Sequence, residues 1–316
     1  MKILVTGGAG FIGSNVLKNL LQRGDEVVCV DDFNDYYDPK LKEDRINIFL
    51  KDYKFPVYRV DIRDFNKLKE IFAKEKIDKI CHLAARAGVR ASIEDPFIYE
   101  ETNIKGTMNL LELAKDFKIK DFIYASSSSV YGGNTKIPFS ETDPVDHPIS
   151  AYAATKKADE LIAHVYHNLY RLNCTGLRFF TVYGPWGRPD MALFKFTKNI
   201  LEGKPIEVYN FGQHERDFTY IDDIVQGTVA SLDKAYPYEV INLGNSNTVR
   251  LDYFISVVEK ELGKKAEKKM LPLQPGDVEK TNADITKAKK MLGFAPKTNI
   301  EKGIKNFIRW YRAYYS

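Results

Sequence analysis

Gly7-Gly8-Ala9-Gly10-Phe11-Ile12-Gly13 follows the apolar run Lys2-Ile3-Leu4-Val5-Thr6 and leads into an amphipathic stretch over residues 12–23. A glycine-rich turn between a predicted strand and a predicted helix suits close approach by a phosphate. Gly7 permits the tight turn, Gly10 lets backbone amides at the helix N-terminus come up to a pyrophosphate, and Gly13 lets helix and sheet pack closely. Phe11 and Ile12 complete the same cofactor-facing turn. Asp31 ends the next apolar run, where a carboxylate accepts hydrogen bonds from adenine-ribose hydroxyls. A 2′-phosphate there would meet Asp31 and Asp32 with no arginine close in sequence, so charge repulsion favours NAD over NADP.

Outward from this turn, runs 2–6, 26–31, 57–61, 79–84, 121–126 and 174–180 read as strands, with helix-length segments between most of them. The alternation predicts an α/β fold, a doubly wound parallel sheet of Rossmann type with right-handed crossovers. Residues 33–50, charged and tyrosine-rich, read as a surface loop and helix inserted after the second strand. Beyond Gly184 the alternation becomes irregular: Pro185, Gly187 and Pro189 mark a loop, 192–202 reads as a helix, and 206–209 and 217–220 as short extended pieces around a turn at Gly212. Residues 1–184 are therefore expected to form a dinucleotide-binding domain. Residues 185–316 mainly form a smaller C-terminal α/β substrate-binding domain, with the chain free to cross back. Phe307, Trp310, Tyr311, Tyr314 and Tyr315 make a helical stripe of the kind that packs a core.

A chain of 316 residues with 44% hydrophobic and 28% charged residues has the composition of a soluble globule, and a formal charge of +4 is too small and dispersed to call for nucleic acid. No apolar run approaches the roughly 18 residues of a membrane span, and Met1 runs straight into a strand without room for a signal peptide, so the expected location is cytoplasmic. Cys29, Cys81 and Cys174 sit singly in apolar runs and read as small core hydrophobes, and His164 and His167 lack the setting of a metal site.

The chemistry is concentrated in Tyr152-Ala153-Ala154-Thr155-Lys156. A tyrosine and a lysine four apart share one helix face, so the ammonium can reach the phenol and favour its ionised form. That is what a proton abstractor needs. Beside a nicotinamide, such a base makes hydride transfer from an alcohol the natural reaction. Ser126-Ser127-Ser128-Ser129-Val130-Tyr131-Gly132 lies just beyond the fifth predicted strand, at the carboxyl edge where such sheets bind ligands. Four hydroxyls in a row would make poor core, and their place ahead of Tyr152 and Lys156 marks them as catalytic candidates.

The Gly-x-x-Gly-x-x-Gly spacing together with the Tyr-x-x-x-Lys pair resembles the extended short-chain dehydrogenase/reductase superfamily, and the resemblance runs through nearly the whole chain. It implies that Asp61 and Ile62 flank the adenine, that Leu83, Ala84 and Ala85 line the central ribose and phosphates, and that Asn103 lies in the helix behind the cofactor. It implies that Ser129, immediately before Val130-Tyr131-Gly132, hydrogen-bonds the reacting sugar hydroxyl, with Ser127 and Ser128 as secondary contacts. Lys156 is then expected to hold the nicotinamide ribose as well.

Within that superfamily the chain is similar to the nucleotide-sugar 4-epimerases that act on UDP-glucuronate. The similarity is carried by Asp35-Tyr36-Tyr37-Asp38, Ala84-Ala85-Arg86-Ala87-Gly88-Val89-Arg90, Val145-Asp146-His147-Pro148, the segment 177–191 and Arg216-Asp217-Phe218-Thr219-Tyr220-Ile221-Asp222-Asp223. Arg86 departs from the glutamine expected there. On this reading Arg216 offers a guanidinium fork to a diphosphate, Asp277 lies near the nucleotide ribose, Tyr209 stacks on or lines the uracil, and Arg188 and Thr181 receive the uronate carboxylate. Related decarboxylases and dehydratases carry an acidic residue where this chain has Ser129, which favours epimerisation. The rival readings are a 4-epimerase of UDP-glucose or UDP-N-acetylglucosamine, a UDP-glucuronate decarboxylase and, outside catalysis, an NAD-binding regulator. The resemblance also implies a homodimer built from the helix after the fourth strand and the helix bearing Tyr152 and Lys156.

Overall fold

The computed structural model describes residues 1–274 and 276–315; Pro275, within the 274–277 stretch that carries Asp277, and Ser316 lie outside the described residues. Strands covered on both faces read as continuous apolar runs, as β1 (Lys2–Thr6) and β2 (Glu26–Asp31) do, and α1 (Phe11–Gln22) connects them. Next come α2 (Pro39–Asp44), continued by a π-helical turn over Arg45–Phe49, then β3 (Val57–Arg59), α3 (Phe65–Glu75) and β4 (Lys79–His82). Short α4 (Ala91–Glu94) and α5 (Pro96–Tyr99), a π-helical turn (Glu100–Lys105) and α6 (Gly106–Asp116) lead to β5 (Asp121–Ser127), α7 (Ala151–Tyr170) and β6 (Asn173–Phe179). The remaining chain forms β7 (Thr181–Tyr183), α8 (Ala192–Leu201), β8 (Ile206–Val208), β9 (Glu215–Tyr220), α9 (Ile221–Asp233) and β10 (Tyr238–Leu243). It closes with β11 (Thr248–Arg250), α10 (Leu251–Leu262), β12 (Lys268–Met270), α11 (Thr286–Leu292) and α12 (Ile300–Tyr315).

Among the described residues, seven strands form the main sheet in the order β10-β6-β5-β4-β1-β2-β3, and each neighbouring pair is parallel. The order reverses between β1 and β4, which opens a ligand crevice at the carboxyl ends of those strands. Side chains alternate between two cores: Ile3 and Val5 enter one and Leu4 the other, with Cys29 and Cys81 in the first and Cys174 in the second. The three cysteines are free and buried.

β3 and β4 are shorter than their apolar runs. The Asp61 carboxylate turns to receive the Arg63 N–H and guanidinium. Leu83 N–H donates to the Thr6 carbonyl and Ala84 N–H to the Thr6 hydroxyl, so the chain after β4 leans onto the glycine turn. β10 returns from beyond residue 184 to pair with β6, and smaller sheets, β11-β9-β7 and β12-β8, lie outside the main one.

The reading of residues 33–50 as a surface insertion needs correction. Lys42, Asp44 and Arg45 are buried, and Arg45 has no solvent exposure. The C-terminal stripe packs as expected at Phe307 and Tyr311, and Trp186 stands against Trp310 and Tyr314 with ring centroids 5.3 and 5.1 Å apart. Tyr315, at its end, is half exposed. Among the described residues no helix is long and apolar enough to cross a membrane.

Candidate active site

The glycine turn leaves no space for side chains. A Cβ on Gly7 would lie 2.7 Å from Ala84 N, one on Gly10 2.9 Å from the Gly7 carbonyl oxygen, and one on Gly13 2.1 Å from that same oxygen. Gly7 also has φ +68°, a conformation that favours glycine. Phe11 and Ile12 open α1 at this turn, and its first amides point toward the carboxyl edge of the sheet. Asp31 is buried and receives N–H bonds from Ala9 (3.1 Å) and Phe33 (2.9 Å). Burial raises its pKa, while the facing Lys42 and these amides oppose the rise. Lys42 is the cation that a search for nearby arginines overlooks, because α2 carries it back over Asp31 and Asp32.

The other residues assigned to the cofactor fall into two groups. Asp61, Leu83, Ala84 and Ala85 lie at the ends of β3 and β4, with Ala84 against Gly7. Ile62 and Asn103 are buried beneath them: Ile62 packs where Gly106 leaves room, and Asn103 bonds the Arg86 N–H, the Arg86 carbonyl and the Thr155 hydroxyl. Asn103 thus ties the loop after β4 to α7 with its amide directed into protein. Its place behind the cofactor loop is therefore that of a brace for the residues around the site.

Ser150 caps α7, accepting the Ala153 N–H at 3.1 Å. Tyr152 in the first turn stands edge-on to Tyr99, with centroids 6.1 Å apart. The Lys156 ammonium donates to Asp159 at 3.1 Å, so its bonded partner is this carboxylate rather than the Tyr152 phenol expected from the spacing. Both side chains are buried. Burial pushes the Asp159 carboxyl up to about 6 against the pull of Lys156. His82 continues the strip, its Nδ1 2.7 Å from the Thr6 hydroxyl and its Nε2 3.0 Å from that of Thr107. Burial, aided by Lys156, pushes the imidazole down to about 3 and keeps it neutral.

The serine run divides its work. Ser126 donates to Glu160, which also holds Arg178 of β6. Ser127 caps the following turn, with its hydroxyl accepting the Ser129 N–H and donating to the Ser129 hydroxyl, both at 3.1 Å. Ser128 and Ser129 are half-buried at the sheet edge. Ser127 therefore orients Ser129.

Across the crevice, Arg188 binds Asp190 through Nε (3.0 Å) and Nη2, and Nη2 also donates to the Ala87 carbonyl at 3.3 Å. Burial works against the Arg188 charge, but Asp190, Tyr36 and Tyr152 outweigh it and raise its pKa. Arg86 and Arg188 stand over the same Tyr36 ring, 5.7 and 5.8 Å from its centre, so the departure at Arg86 borders the pocket. Thr181 opens β7, half-buried.

At the far end Arg216 donates to Asp277 at 2.8 Å and to the carbonyls of Glu215 and Glu279. Asp277 also lies 3.8 Å from Arg90 and from His214. Arg90 covers Tyr209 at 4.5 Å and the Tyr209 hydroxyl donates to Glu207, so this ring meets a guanidinium where a uracil was expected. The structure brings Tyr209, Arg216 and Asp277 together. It adds Arg90 and His214, which sequence reasoning missed, although Arg90 ends a segment that carries the resemblance.

The NAD dependent epimerase/dehydratase family matches residues 3–244. A UDP-glucuronate 4-epimerase of Thermodesulfobacterium geofontis is 50% identical over 97% of the chain and 95% of its own length. The crystal structure of UDP-glucuronic acid 4-epimerase from Bacillus cereus, in complex with UDP-glucuronic acid and NAD, superposes over the full length of both chains with TM-score 0.93 at 40% identity. A UDP-glucose 4-epimerase of Thermotoga maritima with UDP-glucose also covers the whole of both chains, with TM-score 0.91 at 32% identity.

Proposed function

The chain belongs to the NAD dependent epimerase/dehydratase family, and from that premise we propose that it interconverts UDP-glucuronate and UDP-galacturonate. The sugar is oxidised at C4, turns over as a 4-keto intermediate and is reduced on its opposite face. The glycine turn, stripped of side chains at 7, 10 and 13, and Asp31 at the end of β2 fit NAD. Held there, NAD would supply the hydride acceptor and, once reduced, the hydride donor.

The chain's own groups manage the proton and the geometry. Tyr152 Oη takes the proton of the C4 hydroxyl and gives it back, Ser129, set by Ser127, bonds that hydroxyl, and Lys156 holds its charge behind the phenol with Asp159 as counter-ion. Arg188 and Thr181 receive the carboxylate, while Arg216, Arg90, Asp277 and Tyr209 serve the nucleotide end. Fixing the carboxylate matters, because a 4-keto uronate is a β-keto acid that loses CO2 when the breaking bond aligns with the ketone π system. The observation that carries the reading is a guanidinium, Arg188, held by Asp190 and the Ala87 carbonyl over the Tyr36 ring in the loop after β7, at the edge of the crevice. A neutral sugar would have no use for it.

A homodimer belongs to the same reading. Leu161, Val165 and Leu169 project from one face of α7 and are exposed, beside exposed Met108 on α6 and Phe97 on α5. Tyr166 bonds Glu112, holding α6 and α7 side by side as one helical surface for a second copy. A cytoplasmic location is part of the same proposal, and the three free buried cysteines are compatible with it.

The test is NMR of UDP-glucuronate incubated with the protein and NAD. UDP-galacturonate without net NADH is expected, and Tyr152→Phe should cut turnover about a thousandfold. Conversion of UDP-glucose alone would remove the carboxylate role of Arg188, and UDP-xylose would mean decarboxylation.

A further inference from the structure

We propose that Arg45 is a positioning residue for uronate recognition, anchoring the turn that presents Arg188 to the turn that receives the cofactor. The inference rests on the UDP-glucuronate reading and concerns a side chain remote from the sugar. Arg45 has no solvent exposure, and each of its N–H donors reaches an acceptor. Nε and Nη2 converge on the Trp186 carbonyl at 3.1 and 2.7 Å, and Nη2 also reaches the Gly187 carbonyl at 3.4 Å. Nη1 donates to the Ala9 carbonyl at 3.0 Å and to the Tyr37 hydroxyl at 2.7 Å. One guanidinium thus joins the glycine turn, the insertion after β2 and the two residues that immediately precede Arg188.

The acceptors are what set this side chain apart from a core ion pair. Every one is a carbonyl or a phenol oxygen, so the buried charge works without a bonded carboxylate, a costly arrangement when packing alone would be served by an apolar side chain. The fork also acts where the backbone needs holding. Trp186 has φ +62°, a conformation unfavourable for a residue with a Cβ, and its carbonyl is the one gripped twice. Phe49, at the other end of the same π-helical turn, packs on the Trp186 ring at 5.3 Å. The turn therefore fixes Trp186 by backbone and by ring.

Arg188, two residues on, has only Asp190 and the Ala87 carbonyl as bonded partners among the described residues, so the placement of its guanidinium over the Tyr36 ring depends on how the 184–188 turn is set. Through Ala9, that setting is referred to the cofactor turn. A lysine at position 45 keeps the charge but has no planar fork to span Ala9 and Trp186.

The experiment uses NAD-loaded protein carrying Tyr152→Phe, which binds sugar nucleotides without turnover, and measures affinity by calorimetry. Arg45→Lys is expected to weaken UDP-glucuronate about tenfold and UDP-glucose less than about twofold. In a protein that also carries Arg188→Gln, Arg45→Lys should cause no further loss for UDP-glucuronate, since the residue it positions is gone. Equal weakening of both nucleotides, or full additivity with Arg188→Gln, overturns the proposal. If Arg45→Lys does not fold, Tyr37→Phe removes one partner of the fork and should give the same selectivity at about twofold to threefold; no selectivity there also overturns it. A wild-type enzyme that leaves UDP-glucuronate unchanged defeats the functional reading instead, and shows it before any Arg45 variant is needed.

Discussion

Behind Tyr152, the buried strip Lys156–Asp159 and His82 contains two groups whose protonation changes on folding in opposite senses. His82 binds a proton near 6.5 when unfolded and only near 3 when folded, so its contribution to stability is present above 6.5 and lost as pH falls toward 3. Asp159 rises from 3.8 to about 6 on folding, so below 3.8 it carries no penalty and stability is lost as pH climbs through 6. Replacing His82 with Gln leaves Asp159 to act alone. Measured by thermal melts, the variant should gain on the wild type by about 2 kcal/mol between roughly pH 6.5 and 4.5, relative to their difference at neutral pH. A constant difference would contradict the assigned shift. The glycines could be read from the sequence because a tight turn between strand and helix depends on local spacing, whereas the spacing of Tyr152 and Lys156 predicted a contact that the ammonium makes with Asp159 instead. Asp159, His82, Arg45, Lys42, Arg90 and His214 could not, because burial or a distant segment gives each its role. Asp159 left one trace: three residues after Lys156, it shares the lysine's helix face.

The glycine turn and α1 can be tested against helix propensity as a unit. Alanine in place of a helical glycine ordinarily stabilises by up to about 1 kcal/mol. At Gly13 the new Cβ would stand 2.1 Å from the Gly7 oxygen, so α1 has to move away from the turn it serves. Gly13→Ala is expected to lower stability by about 1–3 kcal/mol and to abolish NAD retention, seen as loss of cofactor absorbance after gel filtration. An unchanged protein would mean that α1 shifts freely. Six strands of the main sheet were legible because burial on both faces makes their apolar runs continuous, and their ends erred where the backbone leaves the ladder for the site, as after His82; β10 went unread because it follows the irregular stretch beyond Gly184 and opens on half-buried Tyr238 and Glu239. The insertion over 33–50 was misread because a charged, tyrosine-rich segment looks solvated. Its charges are buried on carbonyls and phenols that sequence spacing does not reveal.

At the scale of the whole molecule, the apolar face of α7 should determine association. Leu161→Asp with Leu169→Asp is expected to halve the mass measured by sedimentation, with little loss of folding because both side chains are exposed. A mass unchanged by both substitutions would move the interface elsewhere. The return of β10 to the main sheet also has a consequence for biosynthesis. β6 leaves the ribosome well before β10, and at roughly 5–20 residues per second the wait is several seconds. During it a strand edge that the finished fold buries almost completely stands open, able to add a strand from any neighbouring nascent chain. Synthesis of this enzyme therefore carries a hazard that the finished molecule conceals, and crowding of polysomes should aggravate it.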